Sequence, residues 1–182
     1  MPHDDHAPDR PAEAALRALV VTVSDRSAAG TRADRSGPVA VEALRAAGWD
    51  CPDAVIVADG EDSVEGVLRS VLQGALDAPT NTPRLIVTTG GTGVAPRDRT
   101  PEGTARVIDR ALPGIPEELR RQGMSDTPMS AVSRGIAGIA PSPEGGSLII
   151  NLPGSPRAVA SALPFILSVA PHIIGQLAGS DH

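Results

Sequence analysis

Short apolar runs alternate along this chain with segments in which apolar residues recur at helical spacing. The runs at residues 19–23, 54–58 and 85–89 are rich in valine, isoleucine and leucine and are bounded by polar or glycine-containing turns, a pattern typical of buried strands. Residues 38–47 and 64–72 place apolar side chains three and four positions apart, which predicts amphipathic helices. Because the strands are nearly continuous in apolar residues, the alternation predicts a parallel sheet covered by helices on both faces.

Capping residues predict where these helices begin and end. Gly48 suits the C′ position after the first long helix, and Ser63 is expected to cap the second. Thr100 is expected to cap a third helix that continues through residues 105–112, until Pro113 ends it. The polar stretch at residues 27–37 and the proline-bounded stretch at residues 79–83 are predicted to be connections.

The second half of the chain is predicted to add two short helices, a hairpin and a closing helix. Residues 116–121 and 127–134 suit helical turns, the first with Glu117 paired to Arg120 or Arg121.

Residues 136–140 and 148–151 suit two strands joined by a Pro/Gly loop, and Ser155 suits the cap of the last helix. Pro164 and Pro171 are expected to kink or split that helix. It carries more apolar positions than one face can use, so the surplus either turns inward or is covered by a neighbouring subunit.

A glycine-rich turn follows the third strand. Gly90, Gly91 and Gly93 remove the Cβ atoms from this turn, so its backbone can adopt positive φ and direct several N–H groups at one anion. Asp98 follows, and a carboxylate beside an anion site requires a cation or a transferred proton between the two charges. The alternative is a tight strand-to-helix connection without a ligand.

Polar side chains also follow the first two predicted strands. Ser24 and Asp25 come after the first strand and Asp59 after the second. In a parallel sheet, ligands bind outside the carboxyl ends of the strands. We therefore expect these residues to share one edge with the glycine turn, unless Asp25 and Asp59 are turn residues only.

Composition restricts the chemistry. The chain of 182 residues has a length that suits one domain, with a predicted disordered tail at residues 1–14 and a domain at residues 15–182. A net charge of −6 and 1% aromatic residues argue against nucleic-acid binding.

The basic residues and histidines exclude several kinds of catalytic site. All 16 basic residues are arginine, which excludes a P-loop lysine or a Schiff base, and the histidines are too scattered for a catalytic triad or a zinc site. The lone Cys51 and the lack of a recognisable signal peptide or 18-residue apolar span predict a cytoplasmic protein without membrane contact.

Together these motifs resemble the MoaB/Mog family of molybdenum-cofactor biosynthesis proteins, and within it the molybdopterin adenylyltransferases. The resemblance extends over residues 18–178 and is carried by residues 23–26, Asp59, residues 89–93, Arg97, Asp98, residues 100–102, Pro113 and Gly114, Glu117, Arg120, and residues 133–135 and 151–156. It implies a three-layer α/β/α sandwich with a mostly parallel central sheet, usually assembled as a homotrimer. It also implies transfer of AMP from Mg-ATP to the terminal phosphate of molybdopterin, with the product accepted by a downstream molybdenum-insertion protein.

The resemblance also implies roles for individual residues. Asp59 and Asp98 match the catalytic aspartates and the Mg²⁺ ligands. The residues implied to bind molybdopterin or the nucleotide are Ser24, Asp25, Gly90, Gly91, Thr92, Gly93, Arg97, Thr100, Glu102, Glu117, Ser133, Arg134, Asn151, Pro153, Gly154 and Ser155. The alternative is a molybdopterin-binding or regulatory protein that uses the same pocket without adenylylation.

Overall fold

The computed structural model describes residues 16–74 and 82–179. The predicted tail at residues 1–14 and residues 79–81 of the predicted connection lie outside the described residues. Six described strands form one sheet in the order β2-β1-β3-β6-β5-β4. Their bounds are β1 Ala18–Val23, β2 Val55–Val57, β3 Leu85–Thr89, β4 Arg110–Ala111, β5 Ala137–Ala140 and β6 Ser147–Leu152.

The sheet is parallel at its centre and antiparallel at one side. Strands β2, β1, β3 and β6 run parallel, whereas β5 is antiparallel to β6 and β4 is antiparallel to β5. The register aligns Thr22 of β1 with Thr89 of β3, and Thr89 with Leu152 of β6. The carboxyl ends of these three strands therefore meet at the same edge, as predicted.

Helices cover both faces of the sheet. Their bounds are α1 Asp25–Ala28, α2 Ser36–Ala46, α3 Glu61–Leu72, α4 Thr100–Ala105, α5 Gly114–Gly123 and α6 Pro156–Leu177, with a 3-10 helix at Pro128–Val132. Helices α2 and α6 pack together on one face, and α3 and α4 pack together on the other. The predicted three-layer arrangement is confirmed.

The core lies on both sides of the sheet because successive side chains of a strand point to opposite faces. Val20, Val87 and Ile150 are fully buried in the cluster beneath α2 and α6. Their neighbours Ile86 and Ile149 are fully buried in the cluster beneath α3 and α4. Burying one such side chain contributes roughly 1.5–3 kcal/mol, so both faces stabilise the edge that carries the glycine turn.

Of the residues predicted to end or cap helices, Gly48 is correct and the caps Ser63 and Thr100 are wrong. Gly48, with φ of +85°, follows α2 as predicted. However, α3 begins at Glu61 after Gly60, so Ser63 lies inside its first turn. Thr100 is the first residue of α4 rather than its cap, and its oxygen accepts no capping bond from the helix. Its hydroxyl instead donates to the Gly90 carbonyl at 2.8 Å.

The prediction that α4 continues through residues 105–112 is also wrong. The helix ends at Ala105, and Arg110 and Ala111 form the edge strand β4 against β5. The N–H groups of Asp109 and Leu112 donate to β5 carbonyls at 2.9 and 2.8 Å. These bonds to β5 replace the intrahelical bonds that a longer α4 would have supplied.

The predicted connection at residues 27–37 is shorter than expected. It begins within the short helix α1, which Ser24 caps by accepting from the Ser27 N–H at 3.3 Å. It ends at Ser36, the first residue of α2. The Asp34 carboxylate accepts from the Ser36 and Gly37 N–H groups, both at 3.0 Å, and so satisfies the first turn of α2 from outside the helix.

The ion pair predicted on the helix at residues 116–121 involves different residues. Glu118 and Arg121 pair through two hydrogen bonds of 2.7 Å. The Arg121 guanidinium lowers the pKa of Glu118 to about 2. Arg120 instead donates to the carbonyls of Ser133 and Gly135, each at 3.3 Å, which ties α5 to the segment that precedes β5.

Helix α6 is continuous for 22 residues although it contains Pro164 and Pro171, so the predicted split does not occur. By length and mean hydropathy, 1.7 over its most apolar window, this helix is long and apolar enough to cross a membrane. The expectation that no 18-residue apolar span exists is therefore wrong. In the fold, Val159, Leu163 and Ile166 bury one face of α6 against the sheet, and 33% of its most apolar window is buried.

Candidate functional site

The glycine turn at the end of β3 is closely packed against its neighbours. Gly90 and Gly91 have φ of +97° and +63°, which L side chains rarely adopt. A Cβ on Gly90 would lie 2.3 Å from the Val23 carbonyl oxygen, and one on Gly91 would lie 2.3 Å from Thr100 Oγ1. The turn is also bonded to β6, since the Gly90 N–H donates to the Leu152 carbonyl at 3.0 Å. Glycine is required here by both conformation and space.

The two predicted catalytic aspartates lie against this turn. The Cβ position of Gly91 is 3.4 Å from Asp59 Oδ1, and that of Gly93 is 2.7 Å from Asp98 Oδ2. Asp98 Oδ2 also accepts from the Ala95 N–H at 3.0 Å. The turn therefore brings together two carboxylates that are separated by 39 positions in the sequence.

Asp25 holds Asp59 in place. The Asp25 N–H donates to Asp59 Oδ2 at 2.8 Å, and the Asp59 N–H donates to Asp25 Oδ1 at 3.0 Å. Arg97 donates to both Asp25 carboxylate oxygens, at 2.7 and 2.8 Å, and to the Asp59 carbonyl at 2.5 Å. This guanidinium lowers the pKa of Asp25. Asp25 and Arg97 thus join the ends of β1 and β2 to the loop after the glycine turn.

A large cavity of about 710 Å³ opens on one side of the turn, between α5, the 3-10 helix and the start of α6. Apolar side chains at its wall include Leu119, Met129 and Val132, and Met129 is 65% exposed. The predicted site residues that line it are Gly90, Gly91, Thr92, Gly93, Asp98, Ser133, Asn151, Pro153, Gly154 and Ser155. Sequence reasoning missed its α5 and 3-10 helix residues, because nothing in the sequence places those helices beside the turn.

A second cavity of about 400 Å³ lies between the end of β1, α1 and the start of α2. The predicted site residues that line it are Ser24, Asp25, Asp59, Gly91, Asp98 and Gly154. Arg32 and Arg35, which the site prediction omitted, also line it together with Arg26. Three arginines within ten positions after the first strand were a signal that could have found them in a chain without lysine.

The two cavities meet. Gly91, Asp98 and Gly154 line both of them, and α6 begins beside this junction. Ser155 caps α6 by accepting from the Ala158 N–H at 3.5 Å, so the positive end of a 22-residue helix faces the shared wall. An anionic group at the junction would be stabilised by that helix end and by the amides of the glycine turn.

Five residues implied to bind substrate line neither cavity: Arg97, Thr100, Glu102, Glu117 and Arg134. Thr100 is fully buried and holds the turn. Arg134 donates to the carbonyls of Gly93 and Asp98 and to the Glu102 carboxylate, and this guanidinium lowers the pKa of Glu102. Arg97 binds Asp25 instead.

Asn151 lies beneath the turn and is 3% exposed. Its side-chain nitrogen donates to the hydroxyls of Thr88 and Thr104 at 3.0 and 2.9 Å, and its side-chain oxygen accepts from the Ile136 N–H at 3.3 Å. Both its side-chain nitrogen and its side-chain oxygen thus have partners within the protein. Asn151 contributes to the cavity wall chiefly by fixing the shape of this edge.

Mg²⁺, which the family resemblance implies, fits the donor set when phosphate oxygens complete its coordination. Among the residues that the structure describes, no three His, Cys, Asp or Glu side chains converge on one point. Asp59 and Asp98 nevertheless place two carboxylates on the wall of the smaller cavity. Magnesium at nucleotide sites is typically bound by one or two carboxylates together with phosphates and water. The site therefore suits a metal that arrives with a polyphosphate.

Comparison with known proteins gives consistent results. Residues 19–172 match the family model described as "Probable molybdopterin binding domain". A molybdenum cofactor biosynthesis bifunctional protein of Synechococcus elongatus is 39% identical over 170 residues, which cover 93% of this chain and 50% of that protein. The chain thus spans about half the length of this relative.

A molybdopterin adenylyltransferase of Helicobacter pylori is 34% identical over 163 residues, which cover 88% of this chain and 87% of that protein. The solved structure of the molybdopterin biosynthesis Mog protein from Mycobacterium ulcerans superposes with a TM-score of 0.77 at 35% identity, covering 92% of this chain and 99% of that one. The matched residues include the glycine turn, both aspartates and the start of α6. The chain therefore belongs to the MoaB/Mog family of molybdenum-cofactor biosynthesis proteins.

Proposed function

We propose that this protein is a molybdopterin adenylyltransferase, which transfers AMP from Mg-ATP to the terminal phosphate of molybdopterin. The observation that carries the proposal is the junction of two chemically different cavities at Gly91, Asp98 and Gly154. A transfer between two substrates requires their reacting groups to meet, while the rest of each substrate is bound separately. The relative named molybdopterin adenylyltransferase supports the same activity.

The larger cavity suits the pterin. Its volume of about 710 Å³ lies in the range of small-molecule sites, and Leu119, Met129 and Val132 offer apolar contact to a ring system. Ser133 and Arg120 lie on the same wall and provide polar groups for the edges of the ring. The terminal phosphate of a pterin bound here would extend toward the start of α6.

The smaller cavity suits the nucleotide phosphates. Arg26, Arg32 and Arg35 line it, and in a chain whose basic residues are all arginine their guanidinium groups would neutralise part of the negative charge of a triphosphate. Asp59 and Asp98 on the same wall would hold Mg²⁺ between themselves and those phosphates.

The reaction is a displacement at phosphorus. An oxygen of the pterin phosphate attacks the α-phosphorus of ATP and forms a P–O bond. The bond from the α-phosphorus to the oxygen that bridges to the β-phosphate breaks, and pyrophosphate leaves with the electron pair. Amides of the glycine turn, the α6 end and the arginines stabilise the charge that develops, without a covalent enzyme intermediate. Bound Mg²⁺ would supply further charge neutralisation.

A molybdopterin-binding protein without adenylylation is the second candidate, since it would use the larger cavity alone. The placement of Asp98 at the junction and of Asp59 on the wall of the smaller cavity favours the enzyme, because pterin binding by itself gives no reason for two negative charges beside a phosphate. On the proposed function, the protein acts in the cytoplasm as a homotrimer and passes its product to a molybdenum-insertion protein.

The test measures pyrophosphate release and AMP incorporation with purified molybdopterin and Mg-ATP. Asp98→Asn and Asp59→Asn keep shape and can still accept the N–H bonds of Ala95 and Asp25. Each is expected to lower turnover by about 100-fold or more, with molybdopterin affinity changed by less than about threefold. Asp53→Asn is the matched control, because Asp53 forms an exposed pair with Arg45 outside both cavities.

The outcomes separate the candidates. Tight molybdopterin binding by the wild type without pyrophosphate release would establish the binding protein and reject the enzyme. Near-normal turnover of Asp98→Asn would reject the role given to Asp98 even if transfer itself is observed.

A further inference from the structure

The loop that carries Asp98, residues 93–98, is fastened at both of its ends by one side chain from outside it. Arg134 Nε donates to the Gly93 carbonyl at 2.7 Å, and Arg134 Nη2 donates to the Asp98 carbonyl at 2.5 Å. The backbone N–H of Arg134 also donates to the Thr92 carbonyl at 2.9 Å. A single guanidinium therefore fixes the distance between the two ends of the Asp98 loop.

Glu102 in turn orients Arg134. Its Oε1 accepts from Arg134 Nη1 at 2.5 Å, and its Oε2 accepts from Nη2 at 3.4 Å. The side chains of Arg134 and Glu102 are 37% and 28% exposed, so the pair is partly shielded from water. Because a guanidinium presents a rigid fork of donors, it can bind two carbonyls and a carboxylate at once.

The Asp98 carboxylate depends on this anchoring. Within the described residues, its side-chain hydrogen bond is to the Ala95 N–H, which belongs to the same loop. That bond fixes the carboxylate relative to the loop but not relative to Asp59. The loop is anchored to the Asp59 region by Arg97, which binds Asp25 and the Asp59 carbonyl. On the opposite side it is anchored by Arg134.

We infer that Arg134 is a positioning residue for adenylyl transfer, which sets the Asp98 carboxylate against Asp59 and the glycine turn without touching substrate. The inference rests on the proposed function for its kinetic consequence. The sequence resemblance implies a substrate-binding role for Arg134 and Glu102, but neither lines a cavity. A displacement of a reacting or metal-binding group by about 1 Å can cost 100-fold in rate, so small loosening of the loop has a large effect.

Arg134→Lys tests the inference because lysine keeps the charge but offers a single ammonium that cannot span the three acceptors. Arg121→Lys is the matched control. Arg121 also makes a two-bond contact with a carboxylate, Glu118, but is 72% exposed and outside both cavities. Glu102→Gln is the second variant, which leaves Arg134 in place and removes the charge that orients it.

Two readouts are combined. Trypsin cleavage after Arg97 reports the order of the Asp98 loop without requiring turnover. Steady-state kinetics separates kcat from the KM for molybdopterin. For Arg134→Lys we expect cleavage of the loop at least tenfold faster and kcat at least tenfold lower, with KM within twofold and the melting temperature close to that of Arg121→Lys. Glu102→Gln should change both readouts in the same direction by a smaller factor.

Cleavage and kcat of Arg134→Lys that match those of Arg121→Lys would overturn the inference. A rise in KM with unchanged kcat would also overturn it, because that result indicates direct contact with molybdopterin. If the wild type shows no transfer, the proposed function fails, and the cleavage rates alone decide whether Arg134 fixes the loop.

Discussion

Substitution of Gly91 by alanine tests whether the glycine turn requires glycine for space as well as for conformation. Gly30 provides the matched comparison, because its φ of +69° is close to the +63° of Gly91. A Cβ on Gly30 meets no atom within 4 Å, whereas one on Gly91 would lie 2.3 Å from Thr100 Oγ1. The two variants therefore share the cost of a left-handed alanine and differ in the steric contact.

The expected magnitudes follow from these contacts. A left-handed alanine costs roughly 1–2 kcal/mol, so Gly30→Ala should lower the free energy of unfolding by about 1 kcal/mol after the entropic benefit of alanine in the unfolded chain is included. Thr100 is fully buried and donates to the Gly90 carbonyl at 2.8 Å. Moving Thr100 aside breaks that bond and leaves buried groups unpaired, which costs a further 1–3 kcal/mol or so. Gly91→Ala should thus lose about 3 kcal/mol.

Urea unfolding and thermal denaturation measure this difference. About 2 kcal/mol between the variants corresponds to a separation of roughly 4–8 °C in melting temperature for a domain of this size. On the proposed function, Gly91→Ala should also lose AMP transfer, since Gly91 lines both cavities, while Gly30→Ala should retain it. Equal stability losses, within about 0.5 kcal/mol, would refute the steric argument.

Three further results are expected. Asn151→Ala should lower the free energy of unfolding by about 3 kcal/mol in urea titrations. It leaves the hydroxyls of Thr88 and Thr104 and the Ile136 N–H without their present partner. A loss below about 1 kcal/mol would contradict this prediction. Burial raises the pKa of Cys51 from 9.0 to about 11, so the folded protein holds the thiol proton more tightly than the unfolded chain does. The free energy of unfolding should therefore fall by on the order of 2 kcal/mol as the pH rises between these two values. A Cys51→Ala variant that shows the same decline would disprove the assignment. Light scattering at micromolar concentration should give about three times the monomer mass of 18.5 kDa, and a clean monomer peak would defeat the homotrimer.

The strands and the glycine turn were largely predictable from the sequence. The apolar run at residues 85–89 coincides with β3, and the alternation of strands with amphipathic helices indicated a sheet covered on both faces. Gly48 was predicted correctly at the end of α2. Such features depend on short-range periodicity and on backbone conformations that few residues tolerate, so the local sequence specifies them.

The errors fall where a tertiary partner overrides a local preference. Thr100 has a side chain suited to capping, but its hydroxyl binds Gly90 in the neighbouring turn. Arg110 and Ala111 continue a helical pattern in the sequence, but they pair with the edge of β5 and form a strand of the sheet. In both cases the local conformation is decided by a contact with a residue outside the segment, Gly90 for Thr100 and β5 for Arg110 and Ala111.

The sequence alone determined which residue types meet at the carboxyl edge of the sheet. The alternation of strands and helices predicts a parallel sheet, and Asp59, the glycine turn and Asp98 each follow a predicted strand. Only the tertiary structure decided how they are held. The pairs Arg97–Asp25 and Arg134–Glu102 join residues 72 and 32 positions apart, and the two cavities arise from helices whose packing closes around the turn. Side-chain pairing at such separations depends on the final backbone path, which the packing of both sheet faces fixes.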